Sequence, residues 1–257
     1  MIEALEGGRI GQIKKTGNDV FRPAHIWTSD VHCFLRTIID LGADFVPEPR
    51  GIANGEEIVS FMPGDVYNVP LPQNLLSDSM LISSANLLRK FHTYSEQYIV
   101  RLTHREQWML PVVEPVEVMC HGDFAPYNVT IVNDEARGII DFDTLHPGSR
   151  MWDIVYAVYR WVPFTISADS GFSGSTEEQI RKTKLFLDTY GVTSADRSDF
   201  VKLIVKRLKC LTDYMRAEAQ KGNGVFQQHI DEGHLQGYLE DIEYLEHNSA
   251  AILSGIM

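Results

Sequence analysis

The chain has 257 residues, of which 44% are hydrophobic and 23% charged, and its formal net charge is −12 at pH 7. This composition is ordinary for a globular protein, and the length suffices for one domain or two small ones with a proper core. The acidic balance argues against a nucleic-acid partner, because nucleic acid is bound by basic patches. It is compatible with a small cationic substrate.

The N-terminus and the hydropathy indicate the compartment. Residues 1–6 lack the basic start and apolar run of a signal peptide, and no apolar stretch approaches the roughly 18 residues of a membrane span. The three cysteines form no CxxC pair. We therefore expect a cytoplasmic protein with no membrane partner, no disulfide framework and no structural zinc.

The first sixty or so residues indicate short strands and one helix. Residues 5–11 place three glycines, including Gly7 and Gly8, between short apolar segments. Glycine lets the backbone approach a phosphate group closely. The segment therefore predicts either a turn that covers phosphates or a plain hairpin turn.

Helices are predicted where apolar residues recur at three- and four-residue intervals. The first begins at Thr28 or Ser29, either of which can cap it, and runs to Leu41 with Gly42 as its stop. Further apolar stripes predict helices within residues 81–102, 200–215 and 235–245, the last of these being the final helix.

The most informative motif is His121-Gly122-Asp123, followed by Asn128 and Asp141. Asn128 lies five positions after Asp123, which is the spacing of the kinase catalytic loop H-R-D-L-x-x-x-N with Gly122 in place of arginine. Asp141 follows thirteen positions later. The spacing predicts a phosphoryl-transfer site.

A short hairpin fits between Asn128 and Asp141. Residues 129–132 and 137–140 are predicted as two strands, and residues 133–135 as the turn. Such a hairpin returns the chain to its start, so the two polar side chains face one volume. Asp123 can then accept a proton from an attacking hydroxyl, while Asn128 and Asp141 hold Mg²⁺ on ATP phosphates.

Residues 119–161, with the motif at 121–128 and Ile140-Asp141-Phe142-Asp143, resemble the aminoglycoside phosphotransferase and choline kinase group. The resemblance implies an α+β, protein-kinase-like fold of two lobes. Residues 1–62 would form a small N-terminal nucleotide-binding lobe with an antiparallel β-sheet. Residues 63–257 would form a larger, mainly helical lobe for catalysis and substrate binding, after a hinge near residues 60–62.

The resemblance also implies roles in nucleotide binding. Arg22 stands where the family has a strand-borne base that grips the phosphates, although Lys14 and Lys15 are rivals and Arg22 could be a surface residue of an edge strand. The backbone from Ser60 to Met62 would bind adenine. The glycine turn at Gly7 and Gly8 would cover the phosphates.

Three further expectations concern the surroundings of the loop. In the family the first helix carries a glutamate paired with the phosphate-gripping base, but this helix has only Asp30 and Asp40, at its two ends. His121, a candidate catalytic residue, more simply braces the loop through both ring nitrogens. Asp153 either holds the loop by its backbone or is an acid favoured by a helix N-terminus. Asp143 replaces the glycine of D-F-G, and its role stays open.

Acidic residues dominate the C-terminal region, where aminoglycoside-modifying members of the family bind polyamine substrates. A solvated helix face is the other interpretation. The six acids are Asp231, Glu232, Glu240, Asp241, Glu243 and Glu246.

The sequence therefore predicts a kinase that moves the γ-phosphoryl group of ATP or GTP, with Mg²⁺, to a hydroxyl of a small molecule. Aminoglycosides, choline-like amines, sugars and amino alcohols all remain open as acceptors. One alternative is a kinase-fold protein that binds a nucleotide or metabolite without catalysis. Another is a metal-dependent hydrolase that would contain zinc and use His121, Asp123, Asp141, Asp143 and His146.

Overall fold

The computed structural model describes residues 2–4, 13–164 and 174–257, with residues 2–4 described only through their strand pairing. The chain divides into two compact units. The first joins Met1–Asn68 to Asn86–Asp153, and the second joins Val69–Ala85 to Ile154–Met257. The β-hairpin of residues 129–139 belongs to the same unit as the N-terminal strands, and the predicted lobe boundary near residue 62 stays a prediction.

The first unit contains an antiparallel sheet of five strands in the order β1-β2-β3-β5-β4. Arg22 on β3 is the Cα partner of Glu57 on β5, so their side chains share a face of the sheet. The strands are β1 (Ile2–Ala4), β2 (Lys14–Thr16), β3 (Asp19–Pro23), β4 (Pro49–Ala53) and β5 (Glu56–Ser60).

Helix α1 (Thr28–Asp40) lies between β3 and β4, close to the predicted bounds. Gly42 follows it with φ +100° and donates to Ile39 O, as expected for a glycine stop. The predicted cap is wrong. The helix is preceded by Trp27 without a side-chain cap, because the hydroxyl of Thr28 accepts from His25 N instead.

The rest of the first unit carries the predicted hairpin. The predicted strand at residues 129–132 is confirmed as β7 (Val129–Val132), whereas β8 (Glu135–Ile139) begins two residues earlier than predicted. Asn133 and Asp134 form the whole turn, with φ of 52° and 58°, because both residue types tolerate the left-handed region that a two-residue hairpin requires. The other elements are β6 (Val118–Cys120), which pairs with β9 (His146–Gly148), and most of α2 (Asp78–Ile99).

The described part of the second unit is helical. The stripes at residues 200–215 and 235–245 are confirmed as α6 and α8, but α8 is followed by one more helix. The elements are α3 (Arg150–Trp161), which begins in the first unit, α4 (Thr176–Tyr190), α5 (Ser194–Arg197), α6 (Phe200–Gln220), α7 (Gly224–Asp231), α8 (His234–His247) and α9 (Ser249–Ile256). None of the described helices is both long enough and apolar enough to cross a membrane.

Candidate active site

The predicted motif lies on the loop between β6 and β7, and Asp153 on α3 holds this loop by its backbone. Oδ2 of Asp153 accepts from His121 N at 2.8 Å, and Oδ1 accepts from Gly122 N at 2.9 Å. His92 on α2 approaches Oδ2 through Nε2 at 3.0 Å. The carboxylate therefore ties the loop to two helices.

Asp153 is fully buried and still charged. Burial by itself raises its pKa, but the hydrogen bond and charge of His92 and the amide of Gly122 outweigh burial and lower the pKa to about 2. The loop position therefore depends on a carboxylate that stays ionised at neutral pH.

Gly122 can be no other residue without a change of the loop. Its φ is +81°, and a β-carbon would lie 2.5 Å from the carbonyl oxygen of Thr144 and 3.2 Å from Cε1 of His146. Both the left-handed backbone and the missing side chain are therefore required here.

His121 is buried, and both of its ring nitrogens are occupied. Nδ1 accepts from Asp123 N at 3.3 Å, so the ring proton is on Nε2, which donates to Ile140 O at 3.0 Å. The ring packs against Phe142 with a centroid distance of 4.9 Å. His121 thus joins the loop between β6 and β7 to the end of β8.

Asp123 and Asn128, which lie five positions apart, are in contact. Nδ2 of Asn128 donates to Oδ2 of Asp123 at 2.9 Å and to its main-chain oxygen at 3.0 Å. The hydroxyl of Tyr127, a residue that the sequence did not single out, donates to Oδ1 of Asp123 at 2.6 Å. Both carboxylate oxygens are therefore oriented by neighbours on the same loop.

The hairpin returns Asp141 to the neighbourhood of Asn128. Ile140 N donates to Asn128 O at 2.9 Å, and Asp141 follows with φ 59°. Phe142 is buried in the core of the first unit, which holds the acids on either side of it. Among the described residues, the side chain of Asn128 forms hydrogen bonds only through its nitrogen. Its oxygen Oδ1 is therefore available to a cation.

Arg22 meets three carboxylates. Its Nε donates to Oε2 of Glu57, Nη1 lies 2.6 Å from Oδ1 of Asp141, and Nη2 lies 3.4 Å from Oδ1 of Asp143. One positive charge therefore faces three negative ones. A divalent cation would offset the excess, as expected of a site for Mg²⁺ on phosphates.

The pKa values reflect this crowding. Burial alone lowers the pKa of Arg22, but the charges of Asp141, Asp143 and Glu57 raise it well above its usual value. Removal from water alone would raise the pKa of Asp141. The charge and the hydrogen bond of Arg22 have the larger effect, so the pKa of Asp141 lies below its usual value. Burial and the charge of Asp141 raise the pKa of Asp143, despite Arg22.

Glu57 replaces the acid that α1 lacks. Its side chain is 1% exposed, and Oε1 lies 2.8 Å from Nε2 of His32 on α1. Burial raises the pKa of Glu57, but the hydrogen bond of His32 and the charge of Arg22 lower it below its usual value. The acidic partner of Arg22 therefore comes from the neighbouring strand, and α1 contributes a histidine.

The rival bases are engaged elsewhere. Lys14 is half exposed and pairs with Glu56 at 3.5 Å. Lys15 places Nζ 3.6 Å from the centre of the Phe61 ring. Among these three bases, Arg22 is the one in contact with Asp141.

Trp27 and Asp143 join the segment before α1 to this cluster. Nε1 of Trp27 donates to Oδ1 of Asp143 at 3.4 Å, and the ring of His25 stacks on Trp27 with a centroid distance of 4.6 Å. Asp143 therefore accepts a hydrogen bond from Trp27 close to Asp141.

The structure describes only some of the residues predicted to bind the nucleotide. Gly7 and Gly8 lie outside the described residues. Ser60 ends β5, and its hydroxyl accepts from Glu48 N at 2.8 Å. Met62 lies between β5 and the hairpin, with its methyl group against Gly138.

The hydrolase alternative finds no support in the geometry. In the described part of the chain, no group of three or more histidine, cysteine, aspartate and glutamate side chains could hold a metal ion. Both nitrogens of His121 are bonded within the fold, and Nδ1 of His146 lies 2.8 Å from Thr144 O. Magnesium bound mainly by phosphates needs fewer protein ligands than a zinc centre does.

The acidic C-terminal region is not a uniform solvated face. Asp241 is buried and accepts from the hydroxyl of Tyr159 at 2.7 Å. Glu246 instead pairs with Lys209 at the surface.

Residues 105–183 match the model of the phosphotransferase enzyme family, APH. This match contains the whole predicted motif, from His121 to Asp143. It confirms the resemblance that the motif indicates, and it supports a small-molecule phosphotransferase.

The chain is also similar to several known proteins. The trifolitoxin immunity protein of Rhizobium leguminosarum bv. trifolii is 25% identical over 210 residues, which are 78% of each chain. An amicoumacin kinase in complex with AMP-PNP, Ca²⁺ and Ami has a TM-score of 0.63 at 12% identity, over 90% of this chain and 88% of that one. A choline/ethanolamine kinase family protein from Mesorhizobium loti has a TM-score of 0.62 at 13% identity, over 100% and 92%. The predicted protein-kinase-like fold is confirmed.

Proposed function

We propose that this protein transfers the γ-phosphoryl group of ATP or GTP to a hydroxyl group of a small molecule. The observation that carries the proposal is the contact between Asp123 and Asn128 at 2.9 Å, on a loop whose hairpin brings back Asp141. The structural similarity to an amicoumacin kinase with bound AMP-PNP and Ca²⁺ supports the donor and a divalent metal.

In this proposal Asp123 acts on the acceptor. The acceptor hydroxyl donates a hydrogen bond to the carboxylate, and its oxygen bonds to the γ-phosphorus as the bond to the β-phosphate oxygen breaks. The proton passes to Asp123. Tyr127 and Asn128 hold the carboxylate in place, so the hydroxyl meets an oriented base.

Asn128 and Asp141 would hold Mg²⁺, through Oδ1 and a carboxylate oxygen respectively. The residues fit this ion, because they are oxygen ligands beside an excess of negative charge. When bound, Mg²⁺ would neutralise charge on the phosphates during transfer. Asp143 accepts from Trp27 and can orient groups near Asp141.

Arg22 would bind the phosphates. Glu57 anchors its Nε, and Nη1 and Nη2 are the nitrogens that now face Asp141 and Asp143. A phosphate oxygen can replace these acids on the same two nitrogens, because guanidinium binds carboxylates and phosphates with the same geometry.

His121 and Asp153 position the loop in this proposal. Because both nitrogens of His121 are bonded within the fold, we assign it to orienting Asp123 rather than to proton transfer. We also propose that residues 60–62 form the hinge beside the base, that Gly7 and Gly8 cover the phosphates, and that the protein acts in the cytoplasm.

The experiment is a screen for ADP release. The purified chain is incubated with Mg²⁺ and ATP or GTP, with and without hydroxyl-bearing metabolites and antibiotics, including amines and sugars. We expect at least one acceptor to stimulate nucleotide turnover and to gain a phosphate group by mass spectrometry. Nucleotide binding without any turnover would favour the non-catalytic alternative.

A second, narrower candidate is immunity to a toxin or antibiotic through its phosphorylation. The 25% identity to a trifolitoxin immunity protein over 78% of the chain favours it. The test is growth of a sensitive host that expresses either the wild type or Asp123→Ala during challenge with antibiotic panels. Protection by the wild type alone supports phosphorylation, whereas equal protection by both proteins indicates sequestration.

A further inference from the structure

Thr130 on β7 carries a buried hydroxyl group that the proposed chemistry does not use. The residue is 2% exposed, and Oγ1 forms no hydrogen bond within the residues that the structure describes. A buried hydroxyl without a partner is costly, because it loses its hydration and gains nothing in exchange. A partner from outside the chain would remove that cost.

The hydroxyl faces a space that Gly138 leaves open. Thr130 and Gly138 pair across the hairpin. A β-carbon at Gly138 would lie 2.6 Å from Oγ1 of Thr130 and 2.7 Å from Cε of Met62. The methyl group of Met62 therefore fills the space beside the hydroxyl, and an unbranched methionine side chain can be displaced from it.

Met62 also carries a backbone donor and a backbone acceptor, on the segment that runs from β5 towards Gly64. Neither its N–H nor its C=O is hydrogen-bonded within the described part of the chain. The segment passes close over β7 at Gly64, where a β-carbon would lie 2.9 Å from Cβ of Thr130. Unpaired backbone groups of this kind are available to a ligand.

The position of Thr130 relative to Asn128 indicates which part of a nucleotide reaches it. Asn128 directly precedes β7, and its C=O accepts from Ile140 N at 2.9 Å, which continues the hairpin pairing to this residue. Residues two positions apart in an extended chain lie about 7 Å from each other. If phosphates lie at Asn128 and Asp141, the group that reaches Thr130 is at the other end of the nucleotide. That group is the base.

We propose that the Thr130 hydroxyl forms a hydrogen bond with the edge of the purine base of the donor nucleotide, after the base displaces the methyl group of Met62. The placement of the phosphates in this inference rests on the proposed function. A hydroxyl both donates and accepts, so it serves the amino group of adenine and the oxo group of guanine. The site therefore takes ATP and GTP alike.

The test is calorimetric titration of the full chain with ADP, GDP and tripolyphosphate, each with Mg²⁺. The variant Thr130→Val keeps the shape and removes the hydroxyl, and Thr130→Ser keeps the hydroxyl as the matched control. We expect Thr130→Val to weaken ADP and GDP binding about three- to tenfold and to leave tripolyphosphate binding unchanged. Thr130→Ser should bind both diphosphates like the wild type.

Thermal unfolding separates a ligand role from a role in folding. Thr130→Val should be as stable as the wild type or more stable, because it removes an unpaired polar group. Unchanged affinity for ADP and GDP in this variant overturns the inference, whatever its stability. The binding result does not require catalysis, so the inference can hold even if the screen for phosphoryl transfer fails.

Discussion

Arg22 on β3 and Glu57 on β5 lie directly opposite each other in the antiparallel pair, and Nε of Arg22 donates to Oε2 of Glu57. The other oxygen of Glu57 contacts His32 on α1 at 2.8 Å. The proposed phosphate-binding arginine is therefore oriented by a strand residue, and α1 supports this pair only through a histidine.

Glu57→Gln tests the orientation of Arg22. The variant keeps the shape of the side chain but removes a buried charge, so we expect the free energy of unfolding to fall by roughly 2–4 kcal/mol. Without its anchor Arg22 stays with Asp141 and Asp143, and KM for ATP should rise roughly tenfold. Urea unfolding and steady-state kinetics measure the two effects.

Glu56→Gln is the matched control on the same strand. Glu56 points to the other face and, among the described residues, makes only a surface pair with Lys14, so the change in stability should stay below about 1 kcal/mol. Equal effects of the two substitutions would contradict a special role for Glu57.

Asp153 gives a pH-dependent prediction. Its pKa is lowered from 3.8 to about 2 in the folded protein. The contribution of the ionised carboxylate to the free energy of unfolding is therefore complete above about pH 4 and is lost as the pH falls towards 2. The shift corresponds to roughly 2 kcal/mol. We expect Asp153→Asn to be less stable than the wild type at pH 7 by at least that amount, and the difference in urea unfolding to shrink between pH 4 and pH 2.

Asp44→Asn is the control for this pH dependence. The hydrogen bond from Lys90 also lowers the pKa of Asp44, but its side chain is 80% exposed, so solvent screens the pair. If the wild type stayed more stable than Asp153→Asn by the same free energy of unfolding from pH 7 to pH 2, ionised Asp153 would not be the source of that stability.

Asp141→Asn tests the proposed magnesium site, and Asp134→Asn is its control. Both aspartates have left-handed backbones, with φ of 59° and 58°, which asparagine adopts as readily. We expect Asp141→Asn to need far more Mg²⁺ for half-maximal turnover and to lose turnover by roughly 10²-fold or more. Removal of metal with EDTA should stop the wild type, and added Mg²⁺ should restore it.

The exposed turn residue Asp134 makes the comparison informative. Its variant has the same change of charge and backbone type, so it should show the Mg²⁺ dependence of the wild type. If Asp141→Asn also titrates like the wild type, Asp141 is not a metal ligand.

Tyr127→Phe tests the hydroxyl that orients Asp123. Loss of a short hydrogen bond to a carboxylate should lower kcat by roughly tenfold. KM for ATP should stay nearly unchanged, because Tyr127 contacts the proposed general base Asp123 and not the nucleotide. Tyr94→Phe removes a surface hydroxyl that donates to Gly42 O at 3.3 Å and should leave kcat unchanged. A change of KM alone in Tyr127→Phe would argue against this role.

Local signals made part of the site predictable from the sequence. The spacing of Asp123, Asn128 and Asp141 predicts a loop and a hairpin, and these depend on turn residues within a few positions. The start of the second hairpin strand was predicted two residues too late, because the left-handed conformation of both Asn133 and Asp134, which makes the turn so short, cannot be read from composition.

Contacts between distant segments could not be predicted in the same way. The pairing of Arg22 with Glu57 depends on the register of β3 against β5, and the spacing of apolar residues does not set that register. Asp153 had two interpretations, because its bonds reach amides about thirty residues away in the chain. The sequence offered one signal for such contacts, a charged residue within a strand, such as Glu57, which needs a partner once it is buried.

The substitution Asp123→Ala tests the central claim most directly, through turnover with the best acceptor and affinity for Mg²⁺-ATP measured on the same preparation. We expect turnover to fall by roughly 10²-fold or more while affinity for ATP stays close to that of the wild type. Near-normal turnover in Asp123→Ala would contradict the account.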